Sequence, residues 1–144
     1  MICKAEHTDI QIAAELAAKL WPGNEVSAFV SDFSRLIAES ETAIFLAYKD
    51  GLPIGFAQCQ LRHDYVEGTC SSPVGYLEGI FVEESWRHNG YATRLLSACE
   101  GWAKSMGCTE FASDCSFENT DGFQFHLRSG FQEANRIICF TKNL

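Results

Sequence analysis

Tyr76-Leu77-Glu78-Gly79-Ile80-Phe81-Val82, then Glu83-Glu84-Ser85-Trp86, then Arg87-His88-Asn89-Gly90-Tyr91-Ala92 is the stretch whose reading decides the fold of this chain. Its first part is an apolar run with one embedded carboxylate. As a strand it places Tyr76, Glu78, Ile80 and Val82 on one face and Leu77, Gly79 and Phe81 on the other. A carboxylate buried there alone costs several kcal/mol, so Glu78 must be paired, protonated or turned to a cleft. A structural ion pair with an arginine and a functional group are equally good readings at this point.

The second part, Arg87 to Ala92, has the form R-x-x-G-x-A at the start of a helix. The first N-H groups of a helix have no intrahelical partner and carry the positive end of its dipole, which makes an anion site. Gly90 removes a Cβ so that a phosphate can approach the backbone, and Ala92 keeps the next turn small. Neither the Gly-Lys-Ser/Thr of a Walker loop nor the Rossmann glycine spacing is present. The unit therefore reads as strand, phosphate-binding turn and helix.

Downstream, Ala92, Leu95, Leu96, Cys99, Trp102, Ala103 and Met106 recur at three-four spacing and predict a helix from Arg87 to Met106, closed by Gly107. A strand at 109–114 follows, then a helix over 118–128, Gly130 as its cap, and a last strand or hairpin over 131–141. Upstream, residues 2–6 read as a first strand. A helix with Thr8 or Asp9 at its N-cap and Ile12, Leu16 and Leu20 on its buried face runs to Pro22-Gly23. Trp21 at its end either packs on a sheet or faces a cleft. A second helix over 25–39 buries Val26, Phe29, Val30, Phe33, Leu36 and Ile37. Thr42–Tyr48 and Leu52–Leu61, joined through Asp50-Gly51, read as a β-hairpin. Arg62–Pro73 reads as a loop, in which Tyr65 has the amphipathic ring suited to a binding-site wall, while adjacent His63 and Asp64 point apart and make no metal site.

The 144 residues fit one domain, 1–144, without repeats or linkers. A net charge of −8 argues against a nucleic-acid footprint; it suits a cationic ligand, and equally a merely soluble surface. The seven cysteines include no C-x-x-C and leave an odd total, which predicts reduced thiols in the cytoplasm and no zinc site. No apolar run reaches the roughly 18 residues a membrane span needs.

The apolar strand feeding R-x-x-G-x-A, the long amphipathic helix, the further strand, Asn119 and the closing Ser129-Gly130-Phe131 together resemble the GCN5-related N-acetyltransferase (GNAT) family over almost the whole chain. The resemblance implies an α/β (α+β) fold, a mixed central sheet with splayed central strands flanked by helices. It further implies that Arg87, His88, Asn89, Gly90, Tyr91 and Ala92 bind the pyrophosphate of acetyl-coenzyme A, and that the backbone of Ile80, Phe81 and Val82 pairs with the pantetheine arm. Leu20-Trp21-Pro22-Gly23, Arg62-His63-Asp64-Tyr65-Val66, Ser72-Pro73, Ala112-Ser113-Asp114 and Glu118-Asn119 are similar, as a set, to the bacterial aminoglycoside 6'-N-acetyltransferases. That similarity implies an aminoglycoside site lined by Trp21, Tyr65, Glu78 and Asp114, with Asn24 and Asn135 at weaker positions, Asn119 on the coenzyme, and a homodimer. An acetyltransferase for another amine and a non-catalytic acyl-coenzyme A module are the competing readings.

An ammonium must lose a proton before it can attack a thioester. Glu78 is the expected base, directly or through a water, with Asp114 as second carboxylate and a backbone N-H near Val82 for the oxyanion. His126 stands where many members of the wider family place a tyrosine acid; Cys115 follows Asp114 with nothing in the sequence to activate it.

Overall fold

The computed structural model describes all residues, Met1–Leu144. Five strands, β1 (Ile2–Lys4), β2 (Thr42–Lys49), β3 (Leu52–Arg62), β4 (Val74–Val82) and β5 (Phe111–Ser113), form one sheet in chain order. All neighbours are antiparallel except β4 and β5, which are parallel and joined by a helical crossover. The helices are α1 (Ile10–Leu20), α2 (Val26–Ala38), α3 (Tyr91–Ser105) and α4 (Thr120–Arg128).

β2 is buried along nearly its whole length because both of its faces are covered. Ile44 and Leu46, with Phe56 of β3, pack under α1 and α2 against Ala13, Ala14, Leu16, Ala17 and Phe33. Ala43, Phe45 and Ala47, with Ala57 and Cys59, face α3 through Leu95, Leu96 and Cys99. Small side chains on this sheet face and on the inner face of α1 let the helices approach closely, so each helix buries a narrow apolar stripe.

Several boundaries differ from the sequence expectation. The first strand ends at Lys4, and a short 3-10 turn, His7–Asp9, leads into α1 with Asp9 as its N-cap. Helix α3 begins at Tyr91 rather than Arg87, because His88 (φ 62°) and Gly90 (φ 77°) adopt the left-handed conformation, which cannot continue a right-handed helix. Helix α4 begins at Thr120, with Asn119 as its N-cap. The 109–114 strand contracts to Phe111–Ser113, since β4 and β5 pair only at Gly75/Phe111, Tyr76/Ala112 and Leu77/Ser113 before separating.

The face assignment of β4 is also corrected. Leu77 stands opposite Cys59 and Gly79 opposite Gln58, so Glu78 is an extra residue without a cross-strand partner, a β-bulge. The bulge resets the alternation: Leu77, Ile80 and Val82 all pack toward α3, and Phe81 packs toward α1 and α2. Ile80 and Val82 therefore do not share a face with Glu78 as a regular strand would require.

The expected strand over 131–141 is absent. No regular element follows α4, and after Phe131, whose N-H bonds the His126 carbonyl, no backbone hydrogen bond ties the remaining residues to the body. A strand exists only with a partner edge, and within one chain this segment reaches none.

Candidate functional site

Where β4 parts from β5, one edge of β4 is left open. The Glu83 N-H donates to the Ile54 carbonyl at 2.8 Å, with Val82 opposite Gly55, so the Val82 main chain faces away from β3. By the same alternation Ile80 also faces the open edge, whereas Phe81 faces β3. Of the three residues expected along an extended ligand arm, two present N-H and C=O groups to it. The side chains of Ile80 and Val82 lie in the core under α3 and can contribute little else.

The N-terminus of α3 is adjacent in sequence and carries no side-chain cap. Its first backbone bond is donated by Arg94 N-H to the Gly90 carbonyl, which leaves the N-H groups of Tyr91, Ala92 and Thr93 without helical partners. A Cβ built on Gly90 would meet nothing within 4 Å, so the approach to these donors is open. At α4, by contrast, the Asn119 side chain accepts from Gly122 N-H at 2.9 Å and closes that helix end. In the turn before α3, Asn89 Nδ2 donates to the carbonyls of Trp86 and Arg87 at 3.2 and 2.8 Å, which holds His88 in its left-handed conformation. His88 and Asn89 are exposed, and Tyr91 is buried against Trp86. Arg87 folds back, its Nε donating to the Val82 carbonyl at 3.0 Å across the end of the open edge.

Glu78 sits beside this fork and is not free. Arg62 Nε and Nη2 donate to its Oε1 at 3.1 and 2.9 Å, and Nη2 donates to Oε2 at 3.0 Å. The Arg62 guanidinium also lies 3.4 Å from the centre of the Tyr76 ring, whose hydroxyl donates to Asp114 Oδ2. Burial, followed by the hydrogen bond to Asp114, raises the Tyr76 hydroxyl well above its ordinary pKa and keeps it a donor. Both carboxylates singled out from the sequence thus belong to one chain, Glu78–Arg62–Tyr76–Asp114. The arginine partner that a strand-borne carboxylate demands exists, and the sequence reading gave Arg62 and Tyr76 no role. The sequence expectation opens the loop at Arg62, whereas β3 runs through Arg62; the register that brings it to Glu78 was not readable.

Trp21 ends α1 and packs on the sheet. It stacks on Phe29 with ring centroids 5.8 Å apart, meets Phe56 edge-on at 6.0 Å, and abuts β4 at Gly79. A Cβ on Gly79 would come within 2.5 Å of the indole, so only glycine lets Trp21 pack there, next to Glu78. Asn24 is exposed beyond the helix and its amide donates to the Trp21 carbonyl at 3.2 Å. Tyr65 is 77% exposed on the loop after β3, and Asn135 is exposed on the C-terminal tail; neither hydrogen-bonds Glu78. That tail passes the same loop, because a Cβ on Gly68 would lie 2.6 Å from Ala134 Cβ.

At the base of the fork, His126 Nε2 lies 2.8 Å from Ser113 Oγ, and Ser113 Oγ lies 3.3 Å from the Leu77 carbonyl. His126 Nδ1 is 2.6 Å from the Gly122 carbonyl, an acceptor only, and therefore donates to it. Cys115 is a half-buried free thiol beside Asp114. No group of three or more His, Cys, Asp or Glu is placed to hold a metal ion.

An open strand edge, an uncapped helix end and a clustered pair of carboxylates suit an extended amide-bearing arm, an anion and a cationic partner respectively. Comparison with known proteins points the same way. The model described as "Acetyltransferase (GNAT) family" matches residues 10–131. The aminoglycoside N(6')-acetyltransferase type 1 of Salmonella typhimurium is 44% identical over 127 residues, 88% of each chain. That of Stenotrophomonas maltophilia is 39% identical over 144 residues, 99% of this chain and 93% of its own. The solved structure of AAC(6')-Iy in complex with the bisubstrate analog CoA-S-monomethyl-acetylneamine superposes with a TM-score of 0.96 at 40% identity, covering 100% of this chain and 98% of that one.

Proposed function

The chain belongs to the GNAT acetyltransferase family, and from that membership we propose that it transfers the acetyl group of acetyl-coenzyme A to the 6'-amine of aminoglycoside antibiotics, the activity for which its relatives are named. The observation that carries the reading is the placement of Glu78, a bulged carboxylate at the point where β4 leaves β5, beside the open edge of Ile80 and Val82. Donor and acceptor substrates would meet there.

Acetyl-coenzyme A supplies an acetyl group already activated as a thioester. The unpaired N-H groups at Tyr91, Ala92 and Thr93, with Arg87 swung out from Val82, would hold its pyrophosphate; Ile80 and Val82 would pair with its amide-bearing arm. Asn119, with its carbonyl oxygen spent on the α4 cap, keeps an amide N-H pair for the coenzyme. The aminoglycoside would lie against Trp21 and the Tyr65 ring, with its ammonium groups toward Glu78 and Asp114 and its hydroxyls reaching Asn24 and Asn135. Glu78 takes the proton that the attacking amine must lose, directly or through water. The outward Val82 N-H is the donor for the developing oxyanion.

The decisive assay sets kanamycin and tobramycin beside spermidine and peptides, with the acetylated position on the product read by NMR. Acetylation at the 6'-nitrogen is expected. Turnover of another amine in its place would reassign the substrate, and acetyl-coenzyme A binding with no amine product would leave a non-catalytic module.

We further read the chain as a single acetyltransferase domain that works as a homodimer in the cytoplasm. All seven thiols are free, and no helix is long and apolar enough to cross a membrane. The dimer reading is supported by the tail. Ile137, Ile138 and Phe140 are 69%, 82% and 89% exposed on a segment with no backbone partners, while β5 offers an unpaired outer edge. Exchange of tails between two copies would satisfy both. Deleting residues 132–144 is expected to turn a dimer into a monomer in analytical ultracentrifugation. A truncated protein that stays dimeric would remove the tail from the interface, and a monomeric native protein would remove the dimer.

A further inference from the structure

We propose that Arg62 is the positioning residue for Glu78, and that its guanidinium fork leaves Oε2 as the carboxylate oxygen open to the substrate amine. The inference rests on the acetyl-transfer reading above and adds to it a residue outside the sets named for either substrate.

The bulge is what makes such a residue necessary. In a regular strand the pleat and the cross-strand neighbour set the direction of a side chain, but Glu78 has no residue opposite it. Something else must aim its carboxylate. A carboxylate has about four lone-pair positions. The Arg62 Nε-H is spent on Oε1 and one Nη2-H is shared between Oε1 and Oε2, so Oε1 is the more heavily engaged oxygen and Oε2 keeps the open acceptor capacity. The fork itself is immobilised, because the guanidinium rests on the Tyr76 ring and that ring is tethered through its hydroxyl to Asp114. The Glu78 side chain is 20% exposed and that of Arg62 37%, so the pair is partly shielded but open on one side.

The arrangement also answers why a site for polycations should contain an arginine. Repulsion between Arg62 and a substrate ammonium is a cost to binding. It is offset if the fork holds the carboxylate in one orientation with Oε2 toward the amine, since reactions between held groups depend steeply on orientation. The charge of Arg62 is then incidental and its fork geometry is the functional property.

The test is a double-mutant cycle read by steady-state kinetics. Arg62→Met is expected to lower kcat by about 10²-fold, with KM for the amine within about threefold of native, because misaiming a reacting group costs turnover rather than binding. Arg62→Lys keeps the charge and the fold but not the fork, and is expected to recover little of the loss. Combined with Glu78→Gln, Arg62→Met should add almost nothing, since it acts only through Glu78. Multiplicative losses in the double variant, or full rescue by Arg62→Lys, would overturn the proposal. If a different amine proves to be the substrate, the aminoglycoside reading fails while the same cycle, run on that amine, still decides the role of Arg62.

Discussion

Glu78→Gln is expected to lower kcat/KM for the aminoglycoside by about 10²- to 10⁴-fold, the range associated with removing a general base. Two effects combine. The neutral amide cannot take the proton that the ammonium must lose, and it cannot hold the ammonium by charge. It also presents an N-H group to a guanidinium that has only donors, so at least one of the three bonds from Arg62 is lost. Binding of acetyl-coenzyme A should be unchanged by calorimetry, because the edge of Ile80 and Val82 and the N-terminus of α3 make no use of the carboxylate. A variant within threefold of native in kcat/KM would leave proximity alone as the source of rate and would strip Glu78 of its assigned role.

What the sequence made legible about this residue was its chemistry rather than its geometry. A carboxylate inside an apolar strand announces that it needs a partner, and the R-x-x-G-x-A turn announces a helix end open to an anion. Neither pattern carries the bulge: one extra residue in a ladder leaves composition and apparent alternation unchanged, yet it turns Ile80 and Val82 to the opposite face. Nor does it carry the pairing of Arg62, because the register of β3 on β4 is set across the loop after Arg62 and not by local periodicity. The hairpin was easier, since the Asp50-Gly51 turn requires positive φ at both residues and both have it. The tail shows the other limit. Its apolar residues are strand-like, but a strand is a property of two edges, and none inside this chain takes it up.

The same logic locates the largest expected loss of stability at Phe56, not at the site. Phe56 is fully buried at the middle of β3, opposite both Leu46 and Phe81, with its ring 6.4 Å from Phe33 and 6.0 Å from Trp21. It is the piece through which α1, α2 and the sheet touch one another. Phe56→Ala removes that ring where neighbours on both helices and two strands cannot collapse together, so about 3–5 kcal/mol is expected from denaturant unfolding. For a chain of this length that corresponds to a fall in Tm of roughly 10–17 °C. The loss should reach function on one side only. Trp21 leans on Phe56 and lies on Gly79, so its ring is expected to shift and KM for the aminoglycoside to rise. Acetyl-coenzyme A affinity, built on the opposite sheet face under α3, should hold. Leu95→Ala, which opens a cavity beneath α3 instead, is expected to reverse the pattern by loosening the helix whose N-terminus would hold the pyrophosphate. If both variants weakened both substrates alike, the two layers would not be energetically separate, and the division of the site between the faces of the sheet would have to be abandoned.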